Sequence, residues 1–330
     1  MNRLLAAILL AVSLIESAAG GAADRTRGPV TTVLTVDGTA CGRVTRWEGG
    51  DMRATVVRPK TAPAVKQLGP AYCAPVSFDI PFPAAKPLME LIADLCASGN
   101  KPVTLVLADV PTGASKEVSA LEVRNALLTE VRFPVLGGGI KDALRLTLVF
   151  QGESSRNITV PLPGAGPAVK LAVVGALQFN VPGVDLSGIT RLEPFTIKRA
   201  LTSDTLGDDK SPTRLHPTPA EFPNLIGTLP GEKSSDLAAW RDQTVAGGGS
   251  AAQKKTGQLN LLDPAAKTIC TLEITGLGIL RLSVVPAASP APRLMQAEFF
   301  CEGMTITAPP ASAAAIIADG GPAGGAGSQQ

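Results

Sequence analysis

Trp240-Arg241-Asp242-Gln243-Thr244-Val245-Ala246-Gly247-Gly248-Gly249, and then Lys254-Lys255-Thr256-Gly257-Gln258-Leu259-Asn260-Leu261-Leu262-Asp263, is the stretch whose reading decides the fold. It reads as the end of a short helix, a glycine-rich turn and a strand that closes on an Asp-Pro turn. Phe195-Thr196-Ile197-Lys198-Arg199-Ala200 stands before it as a strand. Leu237 and Trp240 sit three apart, on one face of a helix for which Ser235 is a fair N-cap.

Working outward, the pattern is one of strands. Ile269 to Val285 gives one or two, and Met295 to Ile306 gives the last. Gly207 to Lys233 is rich in Pro, Asp, Thr and Gly and reads as a long surface loop. In the first half, Val33 to Gly38 and Arg43 to Trp47 suggest a hairpin turning at Asp37-Gly38. Thr55 to Val57 is a further short strand, followed by a Pro- and Lys-bearing loop to Pro70. Val76 to Ile80 alternates apolar and polar residues as a half-buried strand does. Pro87 then opens a helix whose Leu88, Leu91, Ile92 and Leu95 share a face. Val103 to Leu107 is a strand turning at Asp109 and Pro111. Leu121 to Phe133 and Ala143 to Phe150 are two more.

The two halves share this order: strand, helix, glycine turn, Leu-x-Leu strand, Asp turn. Phe78-Asp79-Ile80 answers Phe195-Thr196-Ile197, Asp109 answers Asp263, and Glu122-Val123 answers Glu273-Ile274. The expectation is one fold present twice. Pro161-Leu162-Pro163-Gly164 opens the linker between the copies. The expected organisation is residues 1–19 as a signal peptide, 20–160 as the first module, 161–170 as the linker, 171–307 as the second module and 308–330 as a disordered tail.

The amino terminus carries the signal: Arg3, an apolar Leu4 to Ile15, and the small residues Ser17-Ala18-Ala19. The apolar run is too short to span a bilayer, which takes about 20 residues. An exported chain, periplasmic or extracellular, with no membrane span after signal removal, is expected. Hydrophobic residues make up 45% and aromatics 4%, so Leu, Val, Ile and Ala must fill the core. With 30 basic and 28 acidic side chains the net charge is +2, and no field draws the chain to nucleic acid.

Little chemistry is on offer. His216, the one histidine, lies in the Pro-Thr stretch and reads as a solvated loop residue. Asp204, Asp208 and Asp209 match no calcium-loop spacing and read as a solvated acidic loop. None of the five cysteines, Cys41, Cys73, Cys96, Cys270 and Cys301, forms a Cys-x-x-Cys pair, so no metal site is expected. In an exported chain Cys270 and Cys301, both in strand-like runs, are the expected disulfide. Gly247-Gly248-Gly249 lacks the Lys-Ser/Thr of a phosphate loop. Trp47 and Trp240 read as core anchors. No catalytic residue, no cofactor-binding residue and no cofactor is assigned, and the chain is expected not to be an enzyme.

Four pieces of the second half, in order, resemble the tail tube protein family of contractile phages and type VI secretion. Phe195-Thr196-Ile197-Lys198-Arg199-Ala200-Leu201-Thr202 is similar to that family's Ile-x-Leu-x-Arg-Gly-Leu-Thr strand. Leu237-Ala238-Ala239-Trp240 is similar to its Leu-x-x-Trp helix. Lys255 to Asp263 is similar to its Arg-x-Gly-x-Ile-x-Leu-Leu-Asp strand, and Ala297 to Met304 to its closing strand with a Glu-Gly turn. The resemblance covers roughly Leu171 to Ile306; the first half matches in outline. It implies an all-β fold, two tandem β-barrel or sandwich modules with one short flanking helix each. It also implies a structural role: self-association into a ring or tube, with three duplicated chains giving a pseudo-six-fold ring. The signal peptide, the Gly207 to Lys233 stretch and the lack of the family's Trp-Pro after the Asp turn are departures. An exported monomeric binding module that keeps the fold is the alternative, and a secreted hydrolase using scattered carboxylates is a more distant one.

Overall fold

The structure is a computed structural model, and it describes residues 30–58, 65–114, 116–164, 171–204, 214–246, 254–286 and 293–307. The signal-peptide and tail segments, Gly247 to Gly249 and most of the linker lie outside the described residues.

The first half runs β1 (Val30–Val36), β2 (Thr39–Gly49), β3 (Met52–Val57), β4 (Gln67–Cys73), β5 (Val76–Pro81), α1 (Lys86–Cys96), β6 (Val103–Pro111), β7 (Glu117–Phe133), β8 (Leu136–Gly137), β9 (Arg145–Gln151) and β10 (Ser154–Pro161). The second runs β11 (Ala176–Asn180), β12 (Arg191–Leu192), β13 (Phe195–Lys198), β14 (Leu201–Asp204), β15 (Arg214–Pro217), β16 (Leu225–Pro230), α2 (Ser235–Ala246), β17 (Lys255–Leu262), β18 (Thr268–Val285), β19 (Leu294–Phe300) and β20 (Gly303–Thr307). The fold is mostly β with two α-helices, as the sequence predicts.

β7, β6, β1, β2, β5 and β9 close into a six-stranded barrel because β9 pairs with β7. The alternation that makes Val76, Phe78 and Ile80 one face of β5 turns all three inward, and Phe78 stacks on Phe150 of β9 at 5.6 Å. The second sheet runs β11-β17-β18-β19-β16-β12-β8, with β20 also on β18. It is nearly closed: its ends, β11 and β8, approach without pairing. One apolar core cluster runs through both barrels.

Both helices seat as their apolar spacing requires. α1 buries Leu88, Leu91, Ile92 and Leu95, with proline in its first turn. It lies against β2 and β7 and also against β20 of the second sheet. α2 buries Leu237, Trp240 and Thr244 against β18. Ser235 is its first residue rather than its cap; the Ser234 carbonyl accepts from the Ala238 amide.

Each half lends a strand to the other. β8 pairs with β12, and β13 pairs with β7 through Phe195↔Phe133 and Ile197↔Val131. The strand expected to answer Phe78-Asp79-Ile80 is therefore not Phe195-Thr196-Ile197. β16 takes that place: it pairs with β19 as β5 pairs with β9, shows the same burial alternation, and ends in a proline ahead of a helix. Leu225 and Leu229 of β16 are buried, and Arg214–Pro217 pairs with β14, so the described part of the Gly207 to Lys233 stretch carries two strands rather than forming one long surface loop. Pro and Gly masked the period of two in that stretch. Asp109 likewise lies within β6, where it accepts from the Thr32 hydroxyl at 2.9 Å, and the strand runs on to Pro111. The loop expected to run to Pro70 instead ends in a strand, Gln67–Cys73, of a two-stranded sheet.

The β2–β3 corner shows how tightly the first barrel is drawn. Gly49 has φ +84°, and a Cβ there would stand 1.9 Å from the Pro75 carbonyl oxygen. Both the backbone conformation and the space exclude a side chain. Gly49→Ala is expected to cost about 1–3 kcal/mol of stability, read as a lowered denaturant midpoint at unchanged m-value.

Candidate assembly interface

The residues singled out from sequence do not form one site. Cys270 is buried in β18, and Cys301 sits at the β19–β20 corner with its thiol on the Pro223 carbonyl. Thr275 stands opposite Gly303, and Cys270 lies five residues further along β18, about 16 Å at ~3.3 Å per residue. A disulfide spans a Cα separation of no more than roughly 7 Å. The structure does not bring the two together, and all five thiols are free.

Burial pushes the thiols of Cys96 and Cys270 up from 9.0 to about 12, and those of Cys41 and Cys301 to about 11. Between these values and 9 the unfolded chain releases thiol protons that the folded chain keeps, so stability falls as pH rises. The expected result is a denaturation midpoint that drops progressively above pH ~9, with alkylation of Cys270 at neutral pH only after unfolding.

His216 lies on β15, not in a loop, with its Nε2 3.1 Å from Asp204 Oδ2; both side chains are largely exposed. Asp208 and Asp209 lie outside the described residues. Trp240 is buried beside Phe299, and Trp47 packs on the core, both as expected. A shallow cleft of about 450 Å³ is lined by Thr45, Arg46, Asp79 and Arg145. Its Asp79 accepts from Thr147 and lies 3.9 Å from Arg46, so its charges face each other.

The distinctive chemistry lies along strand edges. Where β13 meets β7, Phe195 stacks on Phe133 at 4.5 Å and Ile197 is fully buried. Arg199, just beyond β13, is only 4% exposed. Its amide donates to the Thr129 carbonyl, its Nε to the Leu128 carbonyl at 2.8 Å, and a terminal nitrogen to the Gly99 carbonyl after α1. Burial lowers its pKa, opposed by Asp94. From β15, the Leu215 amide donates to Glu153. This junction joins the second half of the chain to the first barrel.

Two further edges carry apolar side chains into solvent. The β3–β4 hairpin is a separate two-stranded sheet bearing Met52, Val56, Leu68 and Tyr72, with Leu68 80% exposed. The last turn of β18 bears Leu280 and Val284, each 47% exposed. β19 pairs along one flank of Arg281–Val285, and no strand among the described residues lies along the other. Sequence reading passed over both edges. Thr55 to Val57 reads as a short strand from sequence, but exposure of an edge is a property of neighbours.

No protein-family model matches the chain, and no curated protein does. Among solved structures the chain is similar to one in the cryo-EM structure of the anti-feeding prophage (AFP) baseplate, 6-fold symmetrised, at 10% identity and TM-score 0.33, over 42% of this chain and 98% of that one. It is similar to one in an extracellular contractile injection system, the PVC sheath-tube complex in the extended state, at 12% identity and TM-score 0.34, over 42% and 91%. A third is the PVC sheath/tube terminator in the extended state, at 14% identity and TM-score 0.29, over 39% and 92%. Each likeness covers under half of this chain.

Proposed function

We propose that this chain is an exported, non-catalytic structural subunit that self-associates through β-strand edges into a ring or tube, as the resemblance to the tail tube family implies. The observation that carries the reading is the pair of solvent-facing apolar edges, the β3–β4 hairpin and the end of β18. An exposed strand edge with apolar side chains is a template for pairing with another chain, which monomeric proteins blunt with charge, proline or a cover. The order of elements shared by the two halves supports a duplicated unit, in which three chains would supply six ring positions. The signal-like Arg3 and Leu4–Ile15 support export. Support for a non-catalytic role is positional: the sole histidine stands on an exposed hairpin, where among the described residues Asp204 is the carboxylate it pairs with.

Size-exclusion chromatography with light scattering tests the reading. Assembly predicts masses at multiples of the single chain that rise with concentration. A single-chain mass throughout favours instead an exported monomeric binding module.

A further inference from the structure

The β3–β4 hairpin is charged unlike the rest of the chain. Residues 52–73 hold four basic side chains, Arg53, Arg58, Lys60 and Lys66, and no Asp or Glu. The whole chain has 30 basic and 28 acidic side chains, so everything outside the hairpin is acidic on balance. Arg53 is the one of the four with a carboxylate partner among the described residues, Asp51 at 2.8 Å. Arg58, just beyond β3, and Lys66, just ahead of β4, are both exposed at the far end.

The ladder sorts the other side chains by face. Cross-strand partners share a face, and Met52↔Cys73, Ala54↔Ala71 and Val56↔Leu68 fall on the same one. Arg53 and Tyr72 pair on the opposite face. Leu68 joins the apolar face through the register shift between Ala54 and Val56. In an unbroken ladder a residue three before Ala71 points the other way; the extra β4 residue turns Leu68 back beside Val56. The root is anchored: Cys73 is 1% exposed, and the Ala74 amide donates to the Asp51 carbonyl at 2.8 Å. Exposure then climbs along the hairpin, through Met52 at 44% and Val56 at 62% to Leu68 at 80%. The hairpin belongs to neither barrel sheet and leans on β10.

A projecting apolar face with cations at its far end suits a lipid headgroup layer. The apolar side chains enter the acyl boundary while the long basic stems reach back to phosphates. A groove for single-stranded nucleic acid would need aromatic side chains in series, and Tyr72 is the sole aromatic of residues 52–73. A protein partner would have to place carboxylates to match these cations, whereas an anionic bilayer supplies phosphate wherever it is touched.

We infer that the apolar face of the β3–β4 hairpin docks on an anionic lipid bilayer, with Val56 and Leu68 in the acyl boundary and Arg58 and Lys66 on lipid phosphates. The inference goes beyond the self-association reading and does not rest on it. Strand pairing between copies uses backbone edges and leaves this face free.

The test is flotation of the full chain with vesicles of phosphatidylcholine alone and of phosphatidylcholine mixed with phosphatidylglycerol. Binding is expected on the anionic vesicles and should weaken with salt. The double variant Arg58→Glu, Lys66→Glu should need at least about tenfold more lipid, and Leu68→Ser should lose binding as well. The variants all keep the apolar Leu4–Ile15 run, so any binding it gives is common to them and cancels in the comparison. Leu68→Trp places a reporter on the face: measured against wild type, its emission should shift to the blue on anionic vesicles and be quenched by brominated acyl chains. Unchanged melting temperatures confirm that the variants fold. Equal flotation of wild type and variants, or Leu68→Trp emission indifferent to vesicles, would overturn the inference. So would a Leu68→Ser chain that keeps its vesicle binding but sediments as a smaller species, since the face would then belong to a protein contact. A single-chain mass at every concentration, with flotation lost in the variants, would overturn self-association and leave the docking inference standing.

Discussion

Trp240→Ala is expected to cost about 3–5 kcal/mol, the largest stability loss from a single truncation on this scaffold. The reason starts with α2 itself. At 12 residues it is too short to be stable alone in water. Only Leu237, Trp240 and Thr244 of it are buried. Trp240 lies 6.1 Å from Phe299, which in turn meets Phe179 edge-on at 5.8 Å. One indole therefore ties the helix to β19 and, through Phe299, to β11. Removing it leaves a cavity in the second barrel and takes most of the helix's apolar anchor. Thermal unfolding should show the drop, and amide exchange should localise fast opening to Ser235–Ala246. Trp240→Phe keeps most of the volume and should cost less than half as much. Equal losses for the two variants would contradict the anchoring account.

Arg199→Ala should rank second, at about 3 kcal/mol, and for a different reason. The guanidinium is buried at the seam between the first barrel and the second half of the chain, where it donates to the carbonyls of Leu128 and Gly99. Truncation strips the Leu128 and Gly99 carbonyls of a charged donor and opens a gap between β7 and the turn after α1. Arg199→Met fills the gap without the donors and should recover only part of the loss. Arg199→Lys keeps the charge but not the planar fork that meets two acceptors at once, so it should also fall short of wild type. Denaturation followed by two probes, tryptophan emission and far-UV circular dichroism, should lose its coincidence in the alanine variant as the two halves uncouple. Full recovery by Met would mean that Arg199 acts through packing alone.

Much of the fold was legible because the signals were local. The Leu88, Leu91, Ile92, Leu95 spacing placed α1, and the alternation at Val76–Ile80 and Leu259–Leu261 placed β5 and β17. Trp240 announced itself as a core anchor by being a lone large aromatic on a helix face. What failed was non-local. Phe195–Ile197 read correctly as a strand, but nothing in its residues says that its partner is Phe133 rather than a neighbour in its own half. Leu225–Pro230 hid because Gly227 and Pro230 dilute an alternation that burial makes plain. The free Cys270 and Cys301 show the same limit: strand-like runs say that residues are in a sheet, and register alone says how far apart they stand. The strand edges were the least legible part: Arg53 and Arg199 each precede an alanine, and what separates the exposed one from the buried one is whether another strand's carbonyls surround it.

The central claim is that this chain builds an assembly from its own copies, and electron microscopy of the purified protein in negative stain, over a series of concentrations, tests it most directly. The account predicts rings or short tubes with three-fold or six-fold symmetry that become more frequent as concentration rises. Uniform single-chain particles at every concentration would contradict it.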